Sequence, residues 1–238
     1  MLPDRLKFHL ARWRGDDAAL AGWSGDPGDL ARECRGGVVA LVGNARALSQ
    51  GGQGAMIDSA DIVVRLNRAP MIAAHSHGCR TDWLAMSIRP LRETVTRTDP
   101  ARLLWMTAKR KNLPYRLARD PRFHLAEATL SARMKQVLGA SPSTGVMTLA
   151  LLAALPARAI HVHGFDFFAS RSLSGHRGAH QVPHDFRAEA SWVHALCLMD
   201  PRVTLIRPDG QEIRHQPVAA PDPSPPYRWS ANASRTRA

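Results

Sequence analysis

Three groups of residues have the types and spacing for chemistry. His184 opens HDFRAEASWVHALCLM, in which Phe186, Ala190, Val193 and Cys197 recur at a helical period. It therefore stands at or just before a helix start, where the positive dipole end favours neutral imidazole. Such a histidine at a cleft edge can act as a general base, and the same placement also suits a capping or surface residue. In SPSTGVMTLALLAAL, Pro142 and Ser143 can start a helix, with Ser141 or Ser143 as N-cap. Thr144 and Gly145 then present first-turn N–H groups that suit a phosphate, although a plainly capped helix reads identically. Lastly, Asn44 and Asn67 each close a short apolar run, VVALVG and DIVVRLN.

Other motifs are weaker. His176, His180 and His184 are four apart, which on a helix would align a metal face, but Gly175, Gly178 and Pro183 make the stretch a loop. No metal is expected. GGQG at 51–54 does not follow the first strand directly, as a dinucleotide fingerprint must, and reads as a flexible surface turn. The second strand ends on Asn67 where a dinucleotide site would place an acid. No P-loop signature occurs.

These residues need strands and helices to hold them. Strand-like runs lie at 38–43, 61–67, 81–87, 101–107, 123–128, 159–165 and 202–208, and helical stretches at 129–138, 143–155 and 185–199. The alternation predicts a single α/β, Rossmann-like domain with a mostly parallel central sheet flanked by helices. Ligands of such sheets bind at the carboxyl ends of the strands, where Asn44, Asn67 and Gly164 fall. Residues 1–37 read as a helical and loop extension, 38–216 as the catalytic domain, and the Pro-rich tail 217–238 as disordered.

Composition narrows the field. The 238 residues are 45% hydrophobic and 22% charged, enough for one sizeable core. The longest apolar run, VMTLALLAAL, is too short to span a bilayer, and the charged N-terminus is not a secretory signal, so the expected compartment is the cytoplasm. Three cysteines without ligand spacing argue against disulfides and a cysteine zinc site. A net charge of +12 suits anionic partners, and equally an arginine-biased solvated surface. With few aromatic residues and no nucleic-acid-binding signature, a nucleic-acid partner is not expected.

Together the pieces resemble the sialyltransferases of glycosyltransferase family 29. VALVGNARALSQGGQGAMIDSADIVVRLNRAP is similar to that family's large motif and HGCRTDWLAM to its G-x-[KR]-T segment. SPSTGVMTLALLAALPARAIHVHGF resembles the small motif, and His184 with Glu189 the very small one, H-x-x-x-x-E. The order and approximate spacing hold across residues 38–208. The resemblance implies a variant GT-A nucleotide-binding fold and a metal-independent, inverting transfer of sialic acid, or a related 2-keto acid sugar, from a CMP-sugar to a glycan hydroxyl. It places Asn44, Asn67, Ser143, Thr144, Gly145, Gly164 and Phe165 around the donor, gives Gly43 a supporting place and makes His184 the base. Glu189 buttresses the site, and His176 or His180 serves the phosphate. An amide that donates and accepts together suits a ribose hydroxyl or the cytosine edge.

The implied partners are the CMP-activated sugar and a glycan or lipooligosaccharide acceptor, with no cofactor. The basic N-terminal segment could also hold the protein peripherally to the anionic inner membrane. Departures from the family pattern are the missing disulfide positions, near Val39 and Ala157, and Ala45 where serine is frequent. They leave room for a CMP-Kdo-type transferase or a catalytically altered CMP-binding relative, and behind these a basic nucleic-acid-binding protein.

Overall fold

The computed structural model describes residues 3–167 and 183–214. Three helices come first, α1 (Asp4–Arg14), α2 (Asp17–Ala21) and α3 (Pro27–Cys34). Strand β1 (Val38–Val42) follows, then α4 (Gly54–Asp58), β2 (Ile62–Leu66), α5 (Ala74–His77), β3 (Trp83–Met86), α6 (Arg92–Thr98) and β4 (Arg102–Trp105). The chain continues through α7 (Tyr115–Ala118), β5 (Phe123–Leu125), α8 (Ala128–Leu138), α9 (Thr144–Ala153) and β6 (Ala159–His163). It closes with α10 (Phe186–Met199), β7 (Val203–Ile206) and β8 (Glu212–Ile213). The predicted tail at 217–238 lies outside the described residues.

All eight strands form one sheet, ordered β5-β4-β3-β2-β1-β6-β7-β8. Every pairing is parallel except that of β8 with β7. Central parallel strands are buried on both faces, which is why VVALV and IVVRL read as nearly unbroken apolar runs. The sheet is thus the mostly parallel, helix-flanked one that the alternation predicts.

The chain runs outward from β1 to β5, then returns to place β6 on the other side of β1. The order therefore reverses between β1 and β6, and in open α/β sheets the ligand crevice opens at such a reversal. One sheet face is covered by α3, α8, α9 and α10. Leu30, Met134, Leu149 and Val193 pack there on Val39, Leu41, Val64 and Val162. On the other face, Phe8, Leu20 and Leu117 cover Leu84, Leu103 and Trp105, while Leu48 and Ile57 cover Val42 and Val63. The helices before β1 are therefore part of the same packing.

The second face also carries a row of buried polar groups. Val42 pairs with both Arg65 and His163, so the three point to one side of the sheet. Arg65, 1% exposed, donates to the carbonyls of Arg80 (2.7 Å) and His77 (2.6 Å), and burial lowers its pKa to about 10. His163 is fully buried and its Nδ1 donates to Gln53 Oε1 at 2.7 Å. Gln53 in turn donates to the carbonyl of Arg207 at 2.5 Å. GGQG is thus not the surface turn its composition suggests. A Cβ on Gly54 would lie 1.8 Å from the carbonyl oxygen of Ala74, so this segment is packed against α5.

Burial, followed by repulsion from His161 and Arg65, pushes His163 from 6.5 down to about 3. A base whose folded pKa is depressed contributes stability that is full above its unfolded value and lost as pH falls below it. Acidification from pH 7 to pH 5 should therefore cost about 2 kcal/mol from this group. Urea unfolding across that range should show the slope, and His163→Gln should flatten it.

Candidate functional site

The crevice at the β1–β6 reversal is built by two strand ends that touch. Gly43 N–H donates to the His163 carbonyl (2.7 Å) and Ala45 N–H to the Gly164 carbonyl (3.2 Å), so the chains leave the sheet side by side. A Cβ on Gly43 would lie 2.3 Å from Gly164 O and 2.8 Å from the Phe165 ring. Gly164 itself sits at φ +64°, the left-handed region that favours glycine. The Phe165 ring also rests against Gly145, where a Cβ would meet it at 2.9 Å. Phe165 is therefore a wedge between the β6 end and the first turn of α9.

From this corner a line of hydrogen bonds crosses the strand ends. Asn44 Nδ2 donates to the Leu66 carbonyl at 3.3 Å, joining the end of β1 to the end of β2. Asn67 follows immediately, at φ +52°, a conformation that asparagine tolerates better than most residues. Its Nδ2 donates to Thr144 Oγ1 (3.3 Å) and its Oδ1 accepts from the Ser87 N–H (3.0 Å). The Asn67 amide is thus held through one hydrogen and one oxygen lone pair, which leaves further capacity for a ligand. Ser87 was not among the residues singled out from sequence. Its contribution is a backbone N–H, which no side-chain pattern reveals.

The α9 start completes the line. Of the two candidate caps it is Ser143 that serves: its Oγ accepts from Val146 N at 3.3 Å. The N–H groups of Thr144 and Gly145 have no acceptor within the helix and lie in its positive end, beside the Asn67 amide. Ser143 is also gripped from behind. Its N–H donates to Glu189 Oε1 (2.6 Å) and its hydroxyl to Glu189 Oε2 (2.8 Å). Glu189 is 2% exposed in the first turn of α10, and burial raises its pKa above the ordinary 4.5 against the lowering effect of the Ser143 bonds.

His184 lies next to this junction. The true N-cap of α10 is Asp185, whose Oδ1 accepts from Arg187 and Ala188 N–H groups at 3.0 Å, so His184 stands one residue outside the helix. Its Nδ1 is 2.7 Å from the Ser141 carbonyl oxygen. A carbonyl can only accept, so Nδ1 carries the hydrogen and Nε2 of the neutral ring holds the basic lone pair. The Phe186 ring stands edge-on, with centroids 5.8 Å apart, and limits rotation of the imidazole.

Asn44, Asn67, Ser143, Thr144, Gly145, Gly164, Phe165, His184 and Glu189 thus share one end of the sheet, tied to one another directly or through one backbone group. His176 and His180 lie outside the described residues. Among the described residues no three His, Cys, Asp or Glu side chains gather as metal ligands.

Residues 29–98 match glycosyltransferase family 29 (sialyltransferase). No curated protein matches the sequence. Among solved structures, the chain is similar to a mammalian sialyltransferase in complex with Gal-beta-1-3GalNAc-ortho-nitrophenol. Identity is 19%, 87% of each chain is covered, and the TM-score is 0.60. A second mammalian sialyltransferase structure aligns at 17% identity over 87% of this chain and 86% of that one, with a TM-score of 0.63. At such identities the likeness is one of fold.

Two outcomes test this geometry. Gly43→Ala should cost ~1–3 kcal/mol in urea unfolding because the new methyl meets backbone, whereas Gly52→Ala, with nothing within 4 Å, should be near neutral. Glu189 has a raised folded pKa, so its ionisation costs stability, and that cost grows as pH rises through the folded value. Glu189→Gln should remove this pH dependence, with the wild type losing ground to the variant as pH is raised from 4.5.

Proposed function

We propose that this chain is a sialyltransferase-like enzyme of glycosyltransferase family 29, whose model matches residues 29–98, and that the crevice at the β1–β6 reversal binds a CMP-activated 2-keto acid sugar and transfers it to a glycan hydroxyl. The observation that carries this reading is the line Asn44–Leu66–Asn67–Thr144, which ends beside a histidine whose tautomer is held by Ser141. The amides supply neutral donors and acceptors for the ribose and the cytosine edge. The N-terminus of α9 offers N–H groups and a partial positive charge to the phosphate.

The chemistry is a single displacement. The acceptor oxygen attacks the anomeric carbon as the bond to the phosphate oxygen breaks, and its proton passes to His184 Nε2. The electron pair leaves with CMP. Inversion follows because attack and departure occur on opposite faces of an oxocarbenium-like centre. Charge growing on the departing phosphate meets the first-turn donors of α9, so the mechanism needs no divalent cation. Glu189 acts at one remove by fixing Ser143, and hence the start of α9, relative to α10. Gly164 and Phe165 shape the floor, and His176 or His180 is assigned to the leaving phosphate.

Calorimetry with EDTA present should give binding of CMP in preference to UMP, NAD and ATP. His184→Ala should leave CMP affinity largely intact while lowering kcat by ~10²–10⁴-fold, the usual worth of a positioned base. CMP binding with no turnover by the wild type on any CMP-sugar and glycan pair would point to a binding relative instead. Steeply salt-dependent binding of DNA or RNA without CMP binding would remove the proposal altogether.

A further inference from the structure

The carboxyl edge of the sheet carries a second feature beyond the crevice. Trp13, in the last turn of α1, is 82% exposed, the highest value among the large apolar residues described, with Met199 next at 74%. In the loop after β3, SIRPLR, Ile88 and Leu91 are 45% and 46% exposed, and Arg89 and Arg92 stand out beside them. The next loop along the same edge, after β4, contributes exposed Lys109 and Lys111.

These pieces are held in one neighbourhood. Arg12 Nη1 donates to the Leu113 carbonyl at 3.0 Å, and Arg110 forms an ion pair with Asp17 at 2.8 Å. Both ties fix the end of α1 against the turn that bears Lys109 and Lys111. β3 and β4 are adjacent parallel strands, so their following loops emerge side by side. The β3 loop also reaches the crevice, since Ser87 N–H donates to Asn67 Oδ1.

The nearby acids do not cancel the positive charge. Asp17 is consumed by Arg110, and Asp16 is turned onto the Ala19 N–H at 2.9 Å. Glu93, exposed in the first turn of α6, follows Arg92 directly in sequence and offsets only part of the charge of Arg89 and Arg92. The face therefore combines isolated apolar tips, one of them an indole, with a cationic surround. An indole and aliphatic tips set among Arg and Lys match the headgroup and acyl boundary of an anionic bilayer. Protein partners favour a contiguous apolar patch and nucleic acids a row of stacking rings, whereas Ile88 and Leu91 alternate here with Arg89 and Arg92.

We propose that this face, made of the end of α1 and the loops after β3 and β4, docks on an anionic phospholipid surface and turns the crevice toward acceptors anchored in it. The second half of the statement rests on the transferase reading; the docking does not. A basic residue at such a surface contributes about a fivefold gain in partitioning.

The test is co-sedimentation of the full chain with phosphatidylglycerol-containing vesicles and with pure phosphatidylcholine vesicles. The wild type should sediment with the former and not the latter. Lys109→Glu combined with Lys111→Glu should weaken partitioning by at least about tenfold. Trp13→Ser should weaken it at unchanged net charge, and Arg35→Glu, next to the opposite edge of the sheet, should matter much less. Unchanged sedimentation of the Trp13 and Lys109/Lys111 variants, or no sedimentation of the wild type, would overturn the proposal. CMP calorimetry without lipid separates the two readings: loss of CMP binding with docking intact removes the transferase, and the converse removes only the docking.

Discussion

The structure turns on the contact between the ends of β1 and β6. At the reversal of strand order the two chains leave the sheet so close that Gly43 has no room for a side chain beside Gly164. This approach sets the position of Phe165, whose ring then fixes the first turn of α9 through its contact with Gly145. One steric constraint thereby aims a helix terminus at the crevice. The amide groups of Asn44 and Asn67 are secondary to it, since they reach Leu66 and Thr144 only because those strand and helix ends already lie together.

Much of this was legible beforehand because parallel strands buried on both faces announce themselves as apolar runs. All seven expected strands are found, each trimmed at one or both ends. β8 was not legible: two residues, Glu212 and Ile213, pair antiparallel with β7 and carry no periodicity of their own. Helices of four to seven residues, such as α5 and α6, were missed for the same reason, as their stability comes from packing more than from local pattern. GGQG was misread because Gln53 is defined by His163, which lies 110 residues away.

The site shows the same division. Among residues that contribute side chains, Asn44, Asn67, Ser143 and His184 could be named from type and spacing, and Glu189 only through the family resemblance. What could not be seen were the backbone groups that orient them: the Ser141 carbonyl on His184, the Leu66 carbonyl on Asn44 and the Ser87 N–H on Asn67. Every peptide unit offers the same donor and acceptor, so only the fold decides which are used. The choice between Ser141 and Ser143 as cap was likewise made by geometry: one hydroxyl caps α9, while the other residue lends its carbonyl to the histidine.

Glu189 poses an electrostatic problem that the arrangement answers. A carboxylate near a helix start opposes any anion drawn to the positive end of that helix. Here both of its oxygens face Ser143, one on the N–H and one on the hydroxyl, so the charge is directed into the protein behind the cap. Burial raises its pKa and reduces the cost of proton uptake should a negative ligand arrive in front. A positive charge on His184 lowers the Glu189 pKa in turn. Position, rather than the number of charges, lets a carboxyl, an imidazole and a helix N-terminus occupy one end of the sheet without working against one another.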